Sequence, residues 1–162
     1  MRVHIGHDHA GFEMKQDLMK LLQEKGYEPV DHGPQTFDAE DDYPAFCIAA
    51  AEAVVEDQKQ GVDALGVVLG GSGNGEQIAA NKVPGVRAAL AWNEDTAKLA
   101  REHNDANVIS IGAREHSEQE AVDLILMFLA EPFSKESRHI RRIKQLAQYD
   151  GTTYPLNETE QS

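Results

Sequence analysis

The chain has 162 residues, enough for one domain with a hydrophobic core of its own. Its formal net charge of −13 argues against nucleic acid or an anionic membrane surface as the main partner. A single cysteine, Cys47, excludes an internal disulfide, and no apolar run approaches the roughly 20 residues that span a bilayer. Because the N-terminal residues run straight into a strand, with no signal peptide, these features predict a soluble cytoplasmic protein.

Strands and helices alternate along the first part of the chain. Residues 2–6 are predicted to form a strand, and residues 12–25 an amphipathic helix with Gly26 at its C-cap. A weaker strand follows at residues 28–33, and after an acidic loop a second helix covers residues 43–57.

The alternation continues to the last helix. The remaining predicted strands are 64–69, 86–92 and 107–112, and the remaining predicted helices are 77–82, 94–102, 117–130 and 135–149. This order predicts an α/β fold, with one domain built on a doubly wound parallel sheet of about five strands, flavodoxin-like or Rossmann-like, plus an additional C-terminal helix. The domain is predicted to cover residues 1–149, and the polar, aperiodic residues 150–162 are predicted to form a mobile tail.

A glycine-rich loop follows the third predicted strand and reads Gly71-Ser72-Gly73-Asn74-Gly75-Glu76. It matches neither the Walker A loop nor Gly-x-Gly-x-x-Gly. Its backbone N–H groups lie at the start of a helix and favour the binding of an anion. The carboxylate of Glu76 suits proton abstraction better than phosphate capture. The alternative is a tight turn without a ligand, in which Glu76 is a first-turn acid that contributes about 0.3–1 kcal/mol to stability.

Other chemically competent side chains are predicted to converge on this loop, because ligands bind at the carboxyl ends of the strands in open α/β sheets. They are Asp8 and His9 after the first strand, His103 and Asn104 at the end of the fourth helix, and Arg114 after the fifth strand.

The last predicted helix carries Arg138, Arg141 and Arg142, at positions i, i+3 and i+4 on one face. In an acidic protein this face favours recognition of a phosphate or carboxylate through bidentate contacts. The alternative is an ordinary solvated helix face.

Three further features are interpreted conservatively. A metal site built from His4, His7, Asp8 and His9 is the weaker interpretation, because a fourth ligand is not evident. Cys47 is predicted to be an inert buried thiol, and Trp92 is predicted to pack in the core.

Several spaced motifs together resemble type B ribose-5-phosphate isomerases, which are related to the galactose-6-phosphate isomerase subunits. The resemblance spans residues 2 to about 149 and is nearest to the actinobacterial-type members. It rests on Gly6-His7-Asp8-His9-Ala10-Gly11, on the glycine-rich loop with Ile78-Ala79-Ala80-Asn81-Lys82, on Arg101-Glu102-His103-Asn104, and on Arg138-His139-x-x-Arg142.

The resemblance implies a flavodoxin-like homodimer with active sites between subunits, without a metal or other cofactor, that interconverts ribose 5-phosphate and ribulose 5-phosphate in the pentose phosphate pathway. It implies that Glu76 moves a proton between carbons 1 and 2 and that His103 opens the furanose ring with help from Asp8. The remaining implied roles are enediolate stabilisation by Ser72 and the amides of Gly71, Gly73, Asn74 and Gly75, phosphate binding by His9, Arg114, Arg138 and Arg142, and a sugar-oxygen contact from Asn104.

The chain also departs from the family pattern. Gly70 occupies the position of a cysteine that is catalytic in many relatives, and Glu76 replaces an apolar residue, which implies the branch with a carboxylate base. His7 stands where a small residue is usual. Two other functions remain open from the residues alone: isomerisation of a four- or six-carbon sugar phosphate, and non-catalytic binding of a sugar phosphate.

Overall fold

A computed structural model describes residues 1–158. Its centre is a five-stranded, all-parallel sheet with the strand order β2-β1-β3-β5-β4. The strands are β1 (Arg2–His7), β2 (Glu28–Asp31), β3 (Ala64–Gly70), β4 (Ala88–Leu90) and β5 (Val108–Gly112). The central strand β3 is buried along its whole length, as expected for a parallel strand covered on both faces.

Six α-helices accompany the sheet. They are α1 (Phe12–Glu24), α2 (Tyr43–Lys59), α3 (Asn74–Ala80), α4 (Glu94–Asn104), α5 (Glu118–Ala130) and α6 (Ser137–Asp150). Helices α1, α4 and α5 share one apolar cluster with the sheet, and α2 and α3 share the other. These five helices cover the two faces of the sheet and α6 packs against α4, so the predicted doubly wound architecture with an additional C-terminal helix is confirmed. Within residues 1–158, no helix is long and apolar enough to cross a membrane.

Local signals explain where several helices begin. Asn93 and Thr96 form a capping box at the start of α4, and Ser117 and Glu120 form another at the start of α5. Helix α6 starts two residues later than predicted, because Lys135 has a left-handed backbone conformation, with a φ of +58°, and cannot be part of the first helical turn.

Trp92 does not pack in the core, contrary to the prediction from its strand. Its side chain is 62% exposed. Strand β4 is only three residues long and lies at the edge of the sheet, so the chain leaves the sheet before Trp92. An apolar residue that follows a short edge strand has no second layer to cover it.

The segment predicted to be a mobile tail, residues 150–162, is docked as far as it is described. The Tyr154 hydroxyl donates to Asp105 Oδ2 (2.6 Å), and Leu156 packs against the apolar cluster beneath α2. Tyr154 and Leu156 therefore anchor this segment, although its sequence has no hydrophobic periodicity. Residues 159–162 lie outside the described residues.

Removal of residues 151–162 is therefore expected to lower the free energy of unfolding by about 1–3 kcal/mol, through lost apolar burial and one lost hydrogen bond. Thermal or urea unfolding of the truncated chain measures this. Tyr154→Phe, which removes only the hydroxyl, should account for about 0.5–1.5 kcal/mol. Unchanged stability after truncation would mean that the docked segment contributes nothing.

Candidate active site

Glu76 lies in the first turn of α3, behind the glycine-rich loop that follows β3. Gly73 precedes the helix with a φ of +83°, a left-handed conformation that glycine adopts without strain. Glu76 is only 4% exposed. Its carboxyl group lies against the Cα of Gly70, where a Cβ would overlap it. The absence of a side chain at Gly70 therefore makes the space that the carboxylate occupies.

The surroundings of Glu76 favour its protonated form. Burial raises the pKa of Glu76 and the charge of Asp8 raises it further, while hydrogen bonds from the backbone of Glu76 and Gly73 oppose part of that increase. A carboxylate with a raised pKa is a better proton acceptor than an ordinary surface glutamate.

Ser72 and Asn74 are the exposed residues of the loop, whereas Gly73 is buried. The Ser72 hydroxyl accepts a bond from the Asn74 N–H (3.2 Å). The guanidinium of Arg114 lies over Gly71, 3.3 Å from the place where a Cβ would stand. The structure thus brings Arg114 to the glycine-rich loop, as predicted.

Asp8 and His9 follow β1 at the same edge of the sheet. The buried Asp8 caps the short 3₁₀ turn His9–Gly11, because its Oδ1 accepts from the Ala10 N–H (2.9 Å). Asp41 Oδ1 accepts from the backbone N–H of His9 (3.0 Å) and bonds its ring Nδ1 (2.7 Å). Asp41 therefore leaves Nε2 as the free nitrogen of His9.

Asp41 and Tyr43 were missed by the sequence reasoning. The ring of Tyr43 lies over Gly75, where a Cβ would overlap it. Nothing in the sequence distinguishes Asp41 from its neighbours in the acidic loop. No sequence signal points to Tyr43 either, because its proximity to the glycine-rich loop arises only from the fold.

The four residues of the weaker metal-site interpretation, His4, His7, Asp8 and His9, do not form one cluster in the part of the chain that is described. His4 bonds His32 and Asp57, and the ring of His7 is held by Asp31 and the Asp8 carbonyl. Only a smaller set, Asp8, His9 and Asp41, places ligand atoms within 4.8 Å of one another. The His9 ring in that set is already bonded to Asp41 at 2.7 Å.

The other predicted site residues form a second group, so a single copy of residues 1–158 does not bring all of them to one crevice. Helix α4 starts after the carboxyl end of β4 and runs back for eleven residues, about 16 Å, to Asn104. There, Arg87, just before the start of β4, donates to the Asn104 carbonyl (3.0 Å). Asn104 and His103 therefore lie at the amino edge of the sheet, opposite Glu76. The sequence prediction considered only which strand each residue follows. It did not consider that α4 carries its last residues back towards the amino ends of the strands.

The arginine face of α6 joins this second group. The rings of His103 and His139 are 4.5 Å apart between centroids, which places the start of α6 beside the end of α4. Arg138 and Arg142 are both exposed, and Arg138 pairs with Glu136 (2.8 Å). A histidine and two exposed arginines thus form a cationic group at the amino edge.

An apolar groove separates the two groups along the β4 side of the molecule. Its lining includes Gln77 next to Glu76 at one end and Asn104 at the other. Two large apolar side chains that line it are exposed, Leu146 (56%) and Tyr149 (95%), and the exposed Ile78 (60%) follows Gln77 on α3. Exposure of this much apolar surface in one region is typical of a surface that binds another protein.

Comparison with known proteins gives a consistent result. The sequence model of the Ribose/Galactose Isomerase family matches residues 3–146. The chain is 57% identical, over 152 residues, to a protein of Mycolicibacterium paratuberculosis named ribose-5-phosphate isomerase B, which covers 94% of this chain and 93% of that protein. The Mycobacterium tuberculosis protein of that name is also 57% identical over 152 residues, which cover 94% of this chain and 91% of that protein.

Solved structures agree with the sequence comparison. The crystal structure of ribose-5-phosphate isomerase B from Mycoplasma genitalium with bound ribulose 5-phosphate has a TM-score of 0.86 at 38% identity, covering 94% of this chain and 97% of that one. The type B enzyme of Trypanosoma cruzi has a TM-score of 0.84 at 42% identity, with 93% and 96% covered.

Proposed function

The chain belongs to the Ribose/Galactose Isomerase family, and we propose that it uses Glu76 to interconvert ribose 5-phosphate and ribulose 5-phosphate. The observation that carries the assignment of Glu76 is its buried carboxyl group, with a raised pKa, held against the bare Cα of Gly70 beside a loop rich in backbone N–H groups. A protein that only binds phosphate would gain nothing from a carboxylate there, because the two negative charges repel.

The chemistry is a proton transfer through an enediolate. Glu76 removes the proton from carbon 2 of the open-chain aldose, the C–H electrons form the C1=C2 bond, and the carbonyl oxygen on carbon 1 becomes an oxyanion. The loop amides from Gly71 to Gly75 and the Ser72 hydroxyl stabilise that oxyanion. The proton on the carbon 2 oxygen then passes to the oxyanion on carbon 1. The C1=C2 electrons take a proton back from Glu76 at carbon 1, and the carbon 2 oxygen becomes the carbonyl of the ketose.

Ring opening and substrate binding are assigned to the flanking residues. His103 opens the furanose with Asp8 assisting, and Asn104 binds a sugar oxygen. The phosphate is bound by His9, Arg114, Arg138 and Arg142, which together supply one imidazole and three guanidinium groups. The Asp41 carboxylate accepts from the Nδ1–H of His9 and fixes the ring, so that Nε2 faces the phosphate and donates to it when the ring carries both protons.

The assembly that unites these residues is a homodimer with active sites between subunits. Two observations support it. Glu76 and Asp8 lie at one edge of the sheet while His103 and Arg142 lie at the other, so one copy cannot place all four around a five-carbon sugar. The exposed apolar groove along β4 lies between the two groups and offers a surface for a second copy.

Arg142→Ala is expected to raise KM for ribose 5-phosphate about tenfold or more with a smaller change in kcat, because it removes a charge-assisted bond to a non-reacting group. Steady-state kinetics measures the split. Lys144→Ala, an exposed cation on the same helix that has no assigned role, is the control and should leave KM unchanged. An unchanged KM in Arg142→Ala would indicate that this helix face is an ordinary solvated surface without a role in phosphate binding.

Mixed dimers test whether the site is shared between copies. Arg142→Ala chains mixed with Glu76→Gln chains should regain activity in hybrid dimers, because one site then loses both residues and the other retains both. If both residues of a site came from one chain, mixing would restore nothing.

The pH dependence of kcat should reflect the raised pKa of Glu76. The base works ionised, so turnover is lost as the pH falls through that pKa, above the ordinary glutamate value of 4.5. The measurement is kcat at saturating ribose 5-phosphate between about pH 4 and pH 8. A kcat that stays constant down to the ordinary glutamate range would contradict a raised pKa for the base.

Direct assay decides among the sugar phosphates. Conversion of ribose 5-phosphate to ribulose 5-phosphate, measured with a chelator present, should exceed the conversion of four- and six-carbon aldose phosphates at equal concentration. Preference for a different sugar phosphate would reassign the substrate, and absence of turnover on all of them would favour a binding protein.

A further inference from the structure

His7 is a fully buried histidine that the proposed reaction does not use. It is the last residue of β1, directly before Asp8, and it is 0% exposed. Gly33 packs directly against its ring, and the edge of Phe12 lies 6.1 Å away between centroids. The ring is therefore shielded from water, and the protein must satisfy both of its nitrogens.

Both ring nitrogens of His7 face hydrogen-bond acceptors. Nδ1 lies 3.0 Å from the carbonyl oxygen of Asp8, and Nε2 lies 3.1 Å from Asp31 Oδ1. A neutral imidazole has only one N–H, so one of these contacts would bring two lone pairs together in a buried place. Both contacts are favourable only when both nitrogens carry a proton.

Asp31 is an acceptor and not the source of the missing hydrogen. Its Oδ2 accepts from the ammonium of Lys15 (2.8 Å), and its Oδ1 accepts from the Gly33 N–H (2.8 Å). Burial alone would raise the pKa of Asp31, but the hydrogen bonds from Lys15 and Gly33 hold it below its usual value. The charged groups around His7 are thus Asp31 from β2, Lys15 from α1, and Asp8, whose side chain caps the next turn.

The buried His4 and the half-buried His32 form a histidine pair that provides the contrast. His4 Nε2 faces Asp57 Oδ2 (2.7 Å), and His4 Nδ1 faces His32 Nε2 (2.9 Å). Two neutral rings satisfy this chain, with His4 donating to Asp57 and His32 donating to His4. Burial and the neighbouring His4 also lower the pKa of His32.

We propose that His7 is a doubly protonated imidazolium in the folded protein and that it positions Asp8, which rests on the proposed role of Asp8 at the active site. Its Nδ1–H and the Gly11 N–H (3.2 Å) both donate to the Asp8 carbonyl, while the Asp8 side chain accepts from Ala10. The imidazolium thereby fixes the turn that presents Asp8 and His9. His7 does not touch the substrate and is a positioning residue.

The protonation state is tested by nitrogen NMR of the ¹⁵N-histidine-labelled protein at about pH 8, where an ordinary imidazole is neutral. Both ring nitrogens of His7 should show the chemical shifts of protonated nitrogens, whereas His32 should show one protonated and one bare nitrogen. His7→Phe identifies the His7 signals by their loss. A single protonated nitrogen on His7 would overturn the proposal whatever the protein's activity.

The positioning role is tested by kinetics of His7→Phe, which keeps a ring in the cavity and removes both N–H groups. Its kcat should fall roughly tenfold with a smaller change in KM, as when the partner behind an active-site group is removed. His32→Phe is the matched control and should remain within about twofold of the parent. Parental kcat in a folded His7→Phe variant would overturn the positioning role without affecting the assignment of Glu76.

Discussion

Glu76→Gln is expected to lower kcat for ribose 5-phosphate by about 10²–10⁴-fold, the usual contribution of a positioned general base. The substitution keeps the size of the side chain and most of its hydrogen bonding, but the amide cannot accept the proton. Substrate binding should persist or tighten slightly, because a carboxylate next to an anionic ligand is removed. Steady-state kinetics with saturating substrate measures both effects.

The same variant should be more stable than the parent at neutral pH, which distinguishes a buried base with a raised pKa from a favourable first-turn acid. Burial raises the pKa of Glu76, so the folded state holds that proton more tightly than the unfolded state. Stability from this group is full below the unfolded pKa and is lost as the pH rises through the folded pKa. At pH 7 the ionised Glu76 therefore costs stability, and glutamine removes that cost.

Thermal unfolding measures this second effect. If Glu76 were only a favourable first-turn acid, glutamine would lower stability by about 0.3–1 kcal/mol and leave turnover unchanged. The two interpretations thus predict opposite signs for the change in stability as well as different kinetics.

Gly70→Ala is expected to lower kcat about 10²-fold, because the new Cβ would occupy the place of the Glu76 carboxyl group. The carboxylate has to move, and a displacement of about 1 Å of a reacting group costs about that much. A fold check by circular dichroism accompanies the kinetics.

Gly26→Ala is the matched control for this substitution. Gly26 has a φ of +87° and open space where its Cβ would stand, so alanine there strains the backbone at the end of α1 without approaching the site. It should reduce stability and leave kcat unchanged. Parental turnover in Gly70→Ala would mean that the position of the Glu76 carboxylate does not matter for the reaction.

The fold could be predicted from local sequence signals, and the structure contains the elements that these signals predict. Each of these signals depends only on residues close in sequence: the apolar run at 64–69, the cap at Asn93 and the helix end at Gly26. Each element forms within a few residues of its predicted bounds. Glu76 could likewise be singled out, because the strand, the loop and the helix start are contiguous.

The remaining features depend on contacts that no local pattern encodes. The direction of α4 carries His103 to the edge opposite Glu76, and the acceptors around His7 come from β2 and the next turn. Asp41 becomes distinct from its acidic neighbours only through His9. The docking of Tyr154 depends on Asp105, 49 residues away.

The most direct test of the central claim follows the carbon–hydrogen bond that Glu76 is proposed to break. Ribose 5-phosphate carrying deuterium at carbon 2 is incubated with the parent or with Glu76→Gln, and NMR follows loss of the label from that carbon. The measurement counts bond breaking whether the deuterium reaches carbon 1 or the solvent. The account predicts rapid loss with the parent and a rate about 10²–10⁴-fold lower with the variant. Loss at the parental rate in Glu76→Gln would contradict the assignment of Glu76 as the base.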